Sequence, residues 1–357
     1  MSASLMQCPS TGEPGARVEP VSVLAPPGFL PGNRPMQRLL RFLIPAAAFA
    51  SHVVAADLRL GMIGLDTSHA TAFTEILNNP AAKGHVPGGR VVAAFKGGSP
   101  DIESSWSRVE GYTKELVEKH GVKIHDDIAT LCRDVDAVLI ESVDGRPHLE
   151  QARAVIAAKK PLYIDKPLAG SLRDGLEIFR LAEAAGVPVF TASSLRFGSN
   201  TLSARGGAIG VITNAVTSSP AHLEPHHPDL FWYGIHGVES LFTVMGPGCI
   251  SVRRGSNSTG GIEVVGKWPD GRTGTFSEGK GYSGMAHGIR GSMPVGSYDG
   301  YAPLVAEIMR FFKTGRPPVE SRETIEILAF MEAADESKRR GGAEVTLAEV
   351  LKTAGRR

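Results

Sequence analysis

The chain has 357 residues, of which 42% are hydrophobic and 21% charged, and its formal net charge is +1. That is the composition of a soluble globular protein long enough for two cores, and the near balance of charge excludes the basic footprint of a nucleic-acid binder. Three cysteines, Cys8, Cys132 and Cys249, show no CxxC or Cys/His spacing, so no disulfide framework or thiolate metal centre is expected, although one bridge between Cys132 and Cys249 stays open.

Residues 1–35 are rich in Pro, Gly and Ser and lack apolar periodicity, which predicts a disordered leader. At Met36 the pattern changes to MQRLLRFLIPAAAFASHVVAA, with a basic start at Arg38 and Arg41, an apolar run too short to cross a bilayer, and a small-residue end at Val54-Ala55-Ala56. This predicts a signal peptide over 36–56, cleaved before Asp57, and export to the periplasm or beyond. An apolar N-terminal helix is the competing reading, and Met36 is an alternative start. Without this leader, 34 Lys and Arg face 35 Asp and Glu.

From Asp57 short β-branched runs alternate with longer helical patterns, as a parallel sheet with crossover helices requires. Strands are expected at 58–64, 90–95, 122–124, 136–142, 161–165 and 187–193. The first helix ends in TAFTEILNNP; others cover 110–120, 126–133, 147–159 and 171–185, the last closed by Gly186. Six strands with five crossovers describe a doubly wound, Rossmann-type α/β domain over 57–194. Beyond it, GVITNAVTS, CISVRRG, IEVVGKW and TGTFSEG are separated by Gly-rich turns such as Pro269-Asp270-Gly271 and read as antiparallel hairpins. A helix near 234–245 interrupts them, and two more at 300–314 and 321–340 complete a second domain over 195–357. Whether the Gly-rich stretch 275–298 is an ordered lid stays open.

Several stretches carry a family signature in their order: LRLGMIGLDTSH, Asp165-Lys166-Pro167 after the fifth strand, Arg196-Phe197 after the sixth, WYGIHGVESLFTVMG, and GYAPLVAEIMRFFKTGRPPV followed by EILAFMEAADESKRRGG. On these motifs, which span most of 57–350, the chain resembles the Gfo/Idh/MocA oxidoreductases. The resemblance implies an N-terminal Rossmann domain and a C-terminal α/β domain whose open, mainly antiparallel sheet serves oligomerisation. It also implies NAD- or NADP-dependent hydride transfer at a carbinol of a sugar or cyclitol. Asp165-Lys166-Pro167 stands at the family's Glu-Lys-Pro position, with Lys166 near the nicotinamide and the substrate hydroxyl, and His236 matches the family's acid/base histidine. The residue types suit that chemistry, because removing hydride from a C–H requires a base for the neighbouring O–H proton. A histidine is such a base, and a nearby lysine stabilises the alkoxide and depresses the histidine's proton affinity. Taken singly, Lys166 reads as a surface lysine and His236 as a core histidine.

The sequence also departs from the family. A dinucleotide turn reads GxGxxG, whereas this one is Gly64-Leu65-Asp66-Thr67-Ser68-His69, with only the first glycine kept. Asp66 is expected to put a carboxylate where the pyrophosphate would lie, either as a helix cap filling the anion seat or, with His69, as part of a rebuilt site; a shifted loop that still binds dinucleotide is the third reading. The second strand ends in Phe95-Lys96-Gly97-Gly98 with no acid for the adenosine ribose, and Lys96 is either a partner for an NADP 2′-phosphate or solvated surface. The expected cofactor contacts are Gly64, Asp66, Thr67, Ser68, His69, Lys96, His148, Asp165 and Lys166. His148 is included because it opens the helix after the fourth strand; its alternative is a surface position.

Tyr233 joins Lys166 and His236 as a catalytic candidate, a proton donor or an aromatic wall. Trp232 stands where the family commonly has an Asp, and Arg196, His226, His227, Asp229 and Trp232 are the expected substrate contacts. His222, His226, His227 and His236 fall within fifteen residues, interleaved with Glu224, Asp229 and Glu239, a donor set suited to a zinc- or manganese-like ion, although no HxxxH or HExxH spacing is present. Three functions follow: the oxidoreductase; an exported cofactor-independent or metal-assisted carbohydrate lyase or hydrolase on the same fold; and a non-catalytic sugar-binding protein. No nucleic acid and no membrane span enters any of them, and a homo-oligomer is expected.

Overall fold

A computed structural model describes residues 56–356. The leader and the signal segment, Ala56 excepted, lie outside the described residues. Chain order runs β1 (Leu58–Ile63), α1 (Ser68–Asn78), β2 (Gly89–Phe95), α2 (Glu103–Trp106), α3 (Val109–His120), β3 (Lys123–His125), α4 (Ile128–Asp134), β4 (Ala137–Ile140), α5 (His148–Ala157), β5 (Leu162–Ile164), α6 (Leu172–Ala185) and β6 (Val189–Thr191). The strands form one parallel sheet in the order β3-β2-β1-β4-β5-β6. The order therefore reverses between β1 and β4, which opens a crevice beyond their carboxyl ends.

Period-2 alternation decides how the sheet is covered. Leu60 and Met62 of β1, Leu139 of β4 and Tyr163 of β5 share one core with Phe73 of α1 and Leu116 of α3. Ile63, Val138, Ile140, Leu162 and Ile164 belong to the opposite core, with Leu131 of α4, Val155 of α5 and Ile178 of α6. Helix ends follow local chemistry: Ser171 caps α6 by accepting from Asp174 N, and Gly186 closes it at φ +64.

The second half contains α7 (Ser199–Arg205), β7 (Ile212–Ser219), α8 (Asp229–Trp232), α9 (Ile235–Met245), β8 (Ser251–Ser256), β9 (Ile262–Lys267), β10 (Thr273–Glu278), β11 (Ser283–Gly288), β12 (Gly291–Pro294), α10 (Ala302–Thr314), α11 (Ser321–Arg339), β13 (Val345–Thr346) and α12 (Leu347–Ala354). Its sheet has the order β12-β11-β7-β10-β9-β8-β13. Every neighbouring pair is antiparallel except β7 with β10, which run parallel because the β8–β9–β10 meander returns its last strand beside β7. The expectation of hairpins throughout is corrected at that pair. The Gly-rich stretch forms β11 and β12, and Gly284 is required there: a Cβ on it would lie 2.6 Å from Val216 O of the neighbouring strand.

Helix α9, buried along its whole length, packs on β7 and β10. Helix α10 turns back to the first sheet, where Leu304, Ile308 and Phe311 enter the core of Leu60 and Tyr163. Arg196 joins the two helices α9 and α11 from a short 3-10 turn, with Nε donating to Glu239 (2.7 Å) and Nη1 to Glu323 (2.6 Å). Cys132 and Cys249 are both buried free thiols, so no bridge joins them.

The turn after β1 is the least replaceable backbone. Gly64 has φ +89, and a Cβ there would meet Ser142 N at 2.4 Å. Gly64→Ala is expected to cost at least about 1–3 kcal/mol from the left-handed backbone alone, read as a lower midpoint in thermal unfolding; an unchanged midpoint would show that the turn is not constrained as described.

Candidate active site

Beyond β1 the chain stays tied to the end of β2, since Gly64 N donates to Phe95 O (3.0 Å) and Leu65 N to Lys96 O (2.7 Å). Asp66 then turns inward and is fully buried; its Oδ1 accepts from Val143 N (3.0 Å) and its Oδ2 from Ser105 Oγ (2.6 Å). Burial pushes its pKa up, against the pull of the Ser105 and Val143 bonds. The helix cap is Thr67, whose hydroxyl accepts from His69 N at 3.4 Å. Two expectations are thereby corrected: Asp66 neither caps α1 nor projects into a phosphate seat, because its carboxyl group ties the loop after β2 to the loop after β4.

That tie fills the dinucleotide crevice. Gly97 packs directly on the turn, where a Cβ would lie 3.1 Å from the Gly64 Cα. Ser99 N donates to Ser105 Oγ (2.8 Å), and Ser99 Oγ donates across the crevice to Asp144 Oδ2 (2.6 Å). Arg146 clamps Asp144 (Nη2 to Oδ2, 2.7 Å) and Asp101 (Nη1 to Oδ2, 2.8 Å). Burial raises the proton affinity of Asp144, but contacts with His227, Arg146 and Ser99 outweigh it and hold the carboxyl far below the usual range. Lys96 pairs with Glu110 at 2.8 Å. The cavity that survives beside this segment measures about 210 Å³, below the several hundred Å³ usual for ligand pockets.

The surviving cavity gathers the residues that matter chemically. Thr67, Ser68 and His69 line it from the start of α1, Lys166 from the end of β5, and Tyr233 and His236 from the start of α9. His236 is buried, and its Nδ1 lies 2.7 Å from Ser193 Oγ. Burial, then the Lys166 charge, then His69 push its pKa well below the ordinary histidine value, with Asp165 opposing. It is therefore neutral near pH 7, and with Nδ1–H donating to Ser193 its Nε2 is free to accept a proton.

Tyr282, Tyr298 and Tyr301 complete the wall, and sequence reasoning missed all three, as it missed Arg108 and Ser194. Tyr282 stands edge-on to His236 (5.6 Å), and Tyr301 edge-on to His69 (4.8 Å). Tyr282 and Tyr298 come from the Gly-rich stretch 275–298 and Tyr301 from the motif GYAPLVAEIMRFF, neither of which had been read as part of the site.

Beneath the cavity lies a buried acidic group. His69 Nδ1 is 2.7 Å from Asp165 Oδ2 and 3.9 Å from Glu141 Oε2. Burial raises the proton affinity of Asp165, yet His69 and Lys166 overcome this and hold the carboxyl far below the usual range. Glu141 is shifted the other way, by burial first and by the Asp165 charge second.

The remaining candidates do not reach the cavity. Arg196 is committed to Glu239 and Glu323. Asp229 binds Arg254 (2.5 Å) and Lys338 (2.7 Å). His148 is buried, with Nε2 2.9 Å from Ser142 O and Nδ1 3.0 Å from Pro167 O, so it braces two loops and is not a surface residue. His226 is exposed and pairs with Glu224 at 2.7 Å. His227 lies 2.9 Å from Asp144, outside good hydrogen-bond alignment, with the Trp232 ring tilted on it at 4.8 Å. His222 is exposed, edge-on to Tyr233 at 5.3 Å. Among the described residues the expected metal set His222, His226, His227 and His236 is not brought together; the three-donor group that exists is His69, Glu141 and Asp165.

Comparison with known proteins agrees with this architecture. Residues 58–193 match the family model described as "Oxidoreductase family, NAD-binding Rossmann fold". A "probable dehydrogenase" from Thermotoga maritima superposes with a TM-score of 0.67 at 23% identity, covering 82% of this chain and 100% of that one. The scyllo-inositol dehydrogenase of Lactobacillus casei, solved with NAD(H) and scyllo-inositol, gives 0.66 at 14% identity over 82% of this chain and 99% of its own. The myo-inositol dehydrogenase of the same organism, solved with NAD(H) and myo-inositol, gives 0.64 at 15% identity over 81% and 96%. At these identities the structures establish the shared fold, and the family match rests on the first domain. Residues 58–193 thus match the Gfo/Idh/MocA oxidoreductase model, and the chain shares its fold with these dehydrogenases.

Proposed function

We propose that this enzyme acts at a carbinol of a sugar or cyclitol, with His236 as the base and Lys166 as the electrostatic partner, and that the reaction is the oxidoreduction typical of its family. The observation that carries the reading is the convergence of a neutral His236, Lys166 and Tyr233 on one small polar cavity. His236 Nε2 takes the hydroxyl proton, and the Lys166 ammonium stabilises the alkoxide as it forms. The tyrosine hydroxyls offer hydrogen bonds to neighbouring substrate hydroxyls, and their rings offer apolar walls to the ring carbons. The inositol complexes of the Lactobacillus casei dehydrogenases support a polyol as the substrate class.

NAD or NADP is the hydride acceptor that the family match supports, but segment 97–105 must leave the crevice before either is admitted. This observation favours a second reading on the same residues: abstraction of a ring proton with elimination of water or another leaving group, which needs no dinucleotide. Two further proposals rest on the sequence and on the second sheet. The 36–56 pattern supports export of the mature chain; the protein recovered from the cell envelope is expected to begin at Asp57, and recovery of an uncleaved leader there would overturn export. Val216 and Met285, paired in register and 42% and 40% exposed, support self-association through the open face of that sheet.

Incubation with myo-inositol, scyllo-inositol and a panel of hexoses, with and without added NAD or NADP as hydride acceptor, followed by mass spectrometry, separates the two chemistries: loss of H2 with reduction of the dinucleotide marks oxidation, and loss of H2O without it marks elimination. His236→Asn is expected to lower kcat by about 10²–10⁴-fold; unchanged turnover in both His236→Asn and Lys166→Ala removes the assignment. The depressed proton affinity of His236 sets the sign of the pH dependence, since the base stays deprotonated and active until the pH falls well below the ordinary histidine value. The acid limb of kcat/KM is therefore expected below about pH 6.5, and Lys166→Met should move it upward. Calorimetric titration of the wild-type chain with NAD is expected to show binding weaker than millimolar, and Ser99→Ala with Ser105→Ala, which loosen the plug, should strengthen it. Tight binding by the wild type would restore the dehydrogenase reading without the second one.

A further inference from the structure

Glu141 is the first residue after β4 and is 0% exposed, yet neither Oε1 nor Oε2 has a hydrogen-bond partner. A buried carboxyl group without partners is rare and calls for an occupant, because it has surrendered its water and received nothing in exchange. Its surroundings say what the occupant is. Its Oε2 faces His69 Nδ1 at 3.9 Å, and the same nitrogen is 2.7 Å from Asp165 Oδ2. The three donor atoms, one imidazole nitrogen and two carboxylate oxygens, all lie within 4.8 Å of one another. Ligand bonds of about 2.0–2.2 Å set the donors of a single ion about 3–3.5 Å apart, a spacing that the 2.7 and 3.9 Å separations straddle.

We propose that His69, Glu141 and Asp165 hold one divalent transition-metal ion of the manganese or zinc class, with its open positions on the side of the cavity that His69 lines. Mixed imidazole and carboxylate donors select that class over Mg2+ or Ca2+, which take oxygen alone, and over copper(I), which takes sulfur. The ion's two positive charges match the two carboxylates and give the Glu141 oxygens the partner they lack. The first turn of α1 presents His69 with its ring stacked on Phe73 (5.4 Å) and edge-on to Tyr301 (4.8 Å), so the ligand is oriented by packing. Lys166 borders the site and its charge opposes the ion; its removal should leave binding intact or strengthen it. The site is independent of the reaction proposed above, since an ion here can polarise a substrate oxygen in either chemistry.

The test uses the full chain, stripped with a chelator, dialysed, and titrated with MnCl2 and with ZnCl2. Calorimetry and elemental analysis are expected to find one ion per chain, and low-temperature paramagnetic resonance to report Mn2+ in a nitrogen-containing site. Glu141→Gln and His69→Ala should each weaken binding by more than about tenfold, while Lys166→Met and His222→Ala bind as tightly as wild type or more so. Absence of a stoichiometric ion, or a Glu141→Gln affinity within a few-fold of wild type, overturns the proposal. Gln is isosteric with a neutral Glu, so a purely structural Glu141 predicts a stable, metal-indifferent variant. If Glu141→Gln does not fold, the thermal midpoint of the wild type decides: a rise on adding either ion supports the site and no change overturns it. Unchanged turnover in Lys166→Ala and His236→Asn with the ion still bound would instead strike the assignment of those two residues and leave the site standing.

Discussion

Three carboxyl groups, Asp66, Glu141 and Asp165, lie buried at the carboxyl ends of β1, β4 and β5, where a doubly wound sheet normally opens to solvent and ligand. Charge in that position is tolerated only where a partner replaces the lost water, and the surrounding structure is organised by how each demand is met. Asp66 takes a hydroxyl and an amide, which draws the loop after β2 over the crevice. Asp165 takes the imidazole of His69, which fixes the first turn of α1 against β5. Glu141 is the member whose demand the protein's own groups do not meet.

The first of these compensations changes what the fold can bind. A Rossmann domain offers dinucleotides a helix N-terminus and a Gly-rich turn that the backbone of the ligand can approach. Here the first glycine keeps the turn, but Gly97 lies against it and the Ser99–Asp144 bridge joins the loops after β2 and β4. The scaffold is kept while one half of its site is occupied by the chain itself, in line with the separability of fold and site. What remains open is the end that handles the substrate, where burial and then the Lys166 charge lower the proton affinity of His236.

The second half of the chain contributes more than a platform. Its Gly-rich strands deliver Tyr282 to the cavity and lead into Tyr298 and Tyr301, just before α10 returns to the core of the first sheet. Arg196 holds α9, and hence His236, to α11 through two buried carboxylates. A residue expected at the substrate is thus one that positions the helix bearing the base.

The sequence alone determined what depends on near neighbours. Alternation of apolar residues and local caps decide strands and helices within a few turns of chain, which is why the six strands, the closure at Gly186 and the helix 235–245 were legible. Lys166 and His236 were singled out by the fixed order of their motifs along the chain, and both line one cavity. Tertiary structure decided every pairing that spans layers. Asp66 meets Ser105 from 39 residues away and Arg196 meets Glu323 from 127, and no local pattern encodes either. Four histidines close in sequence dispersed because a loop, a short helix and a buried helix face point their residues in different directions. Glu141 lay in the fourth expected strand with no role read for it, and only the approach of His69 from α1 sets a histidine beside this buried carboxyl group. Compensation of buried charge is a property of the packed interior, and partners there are chosen by proximity in space.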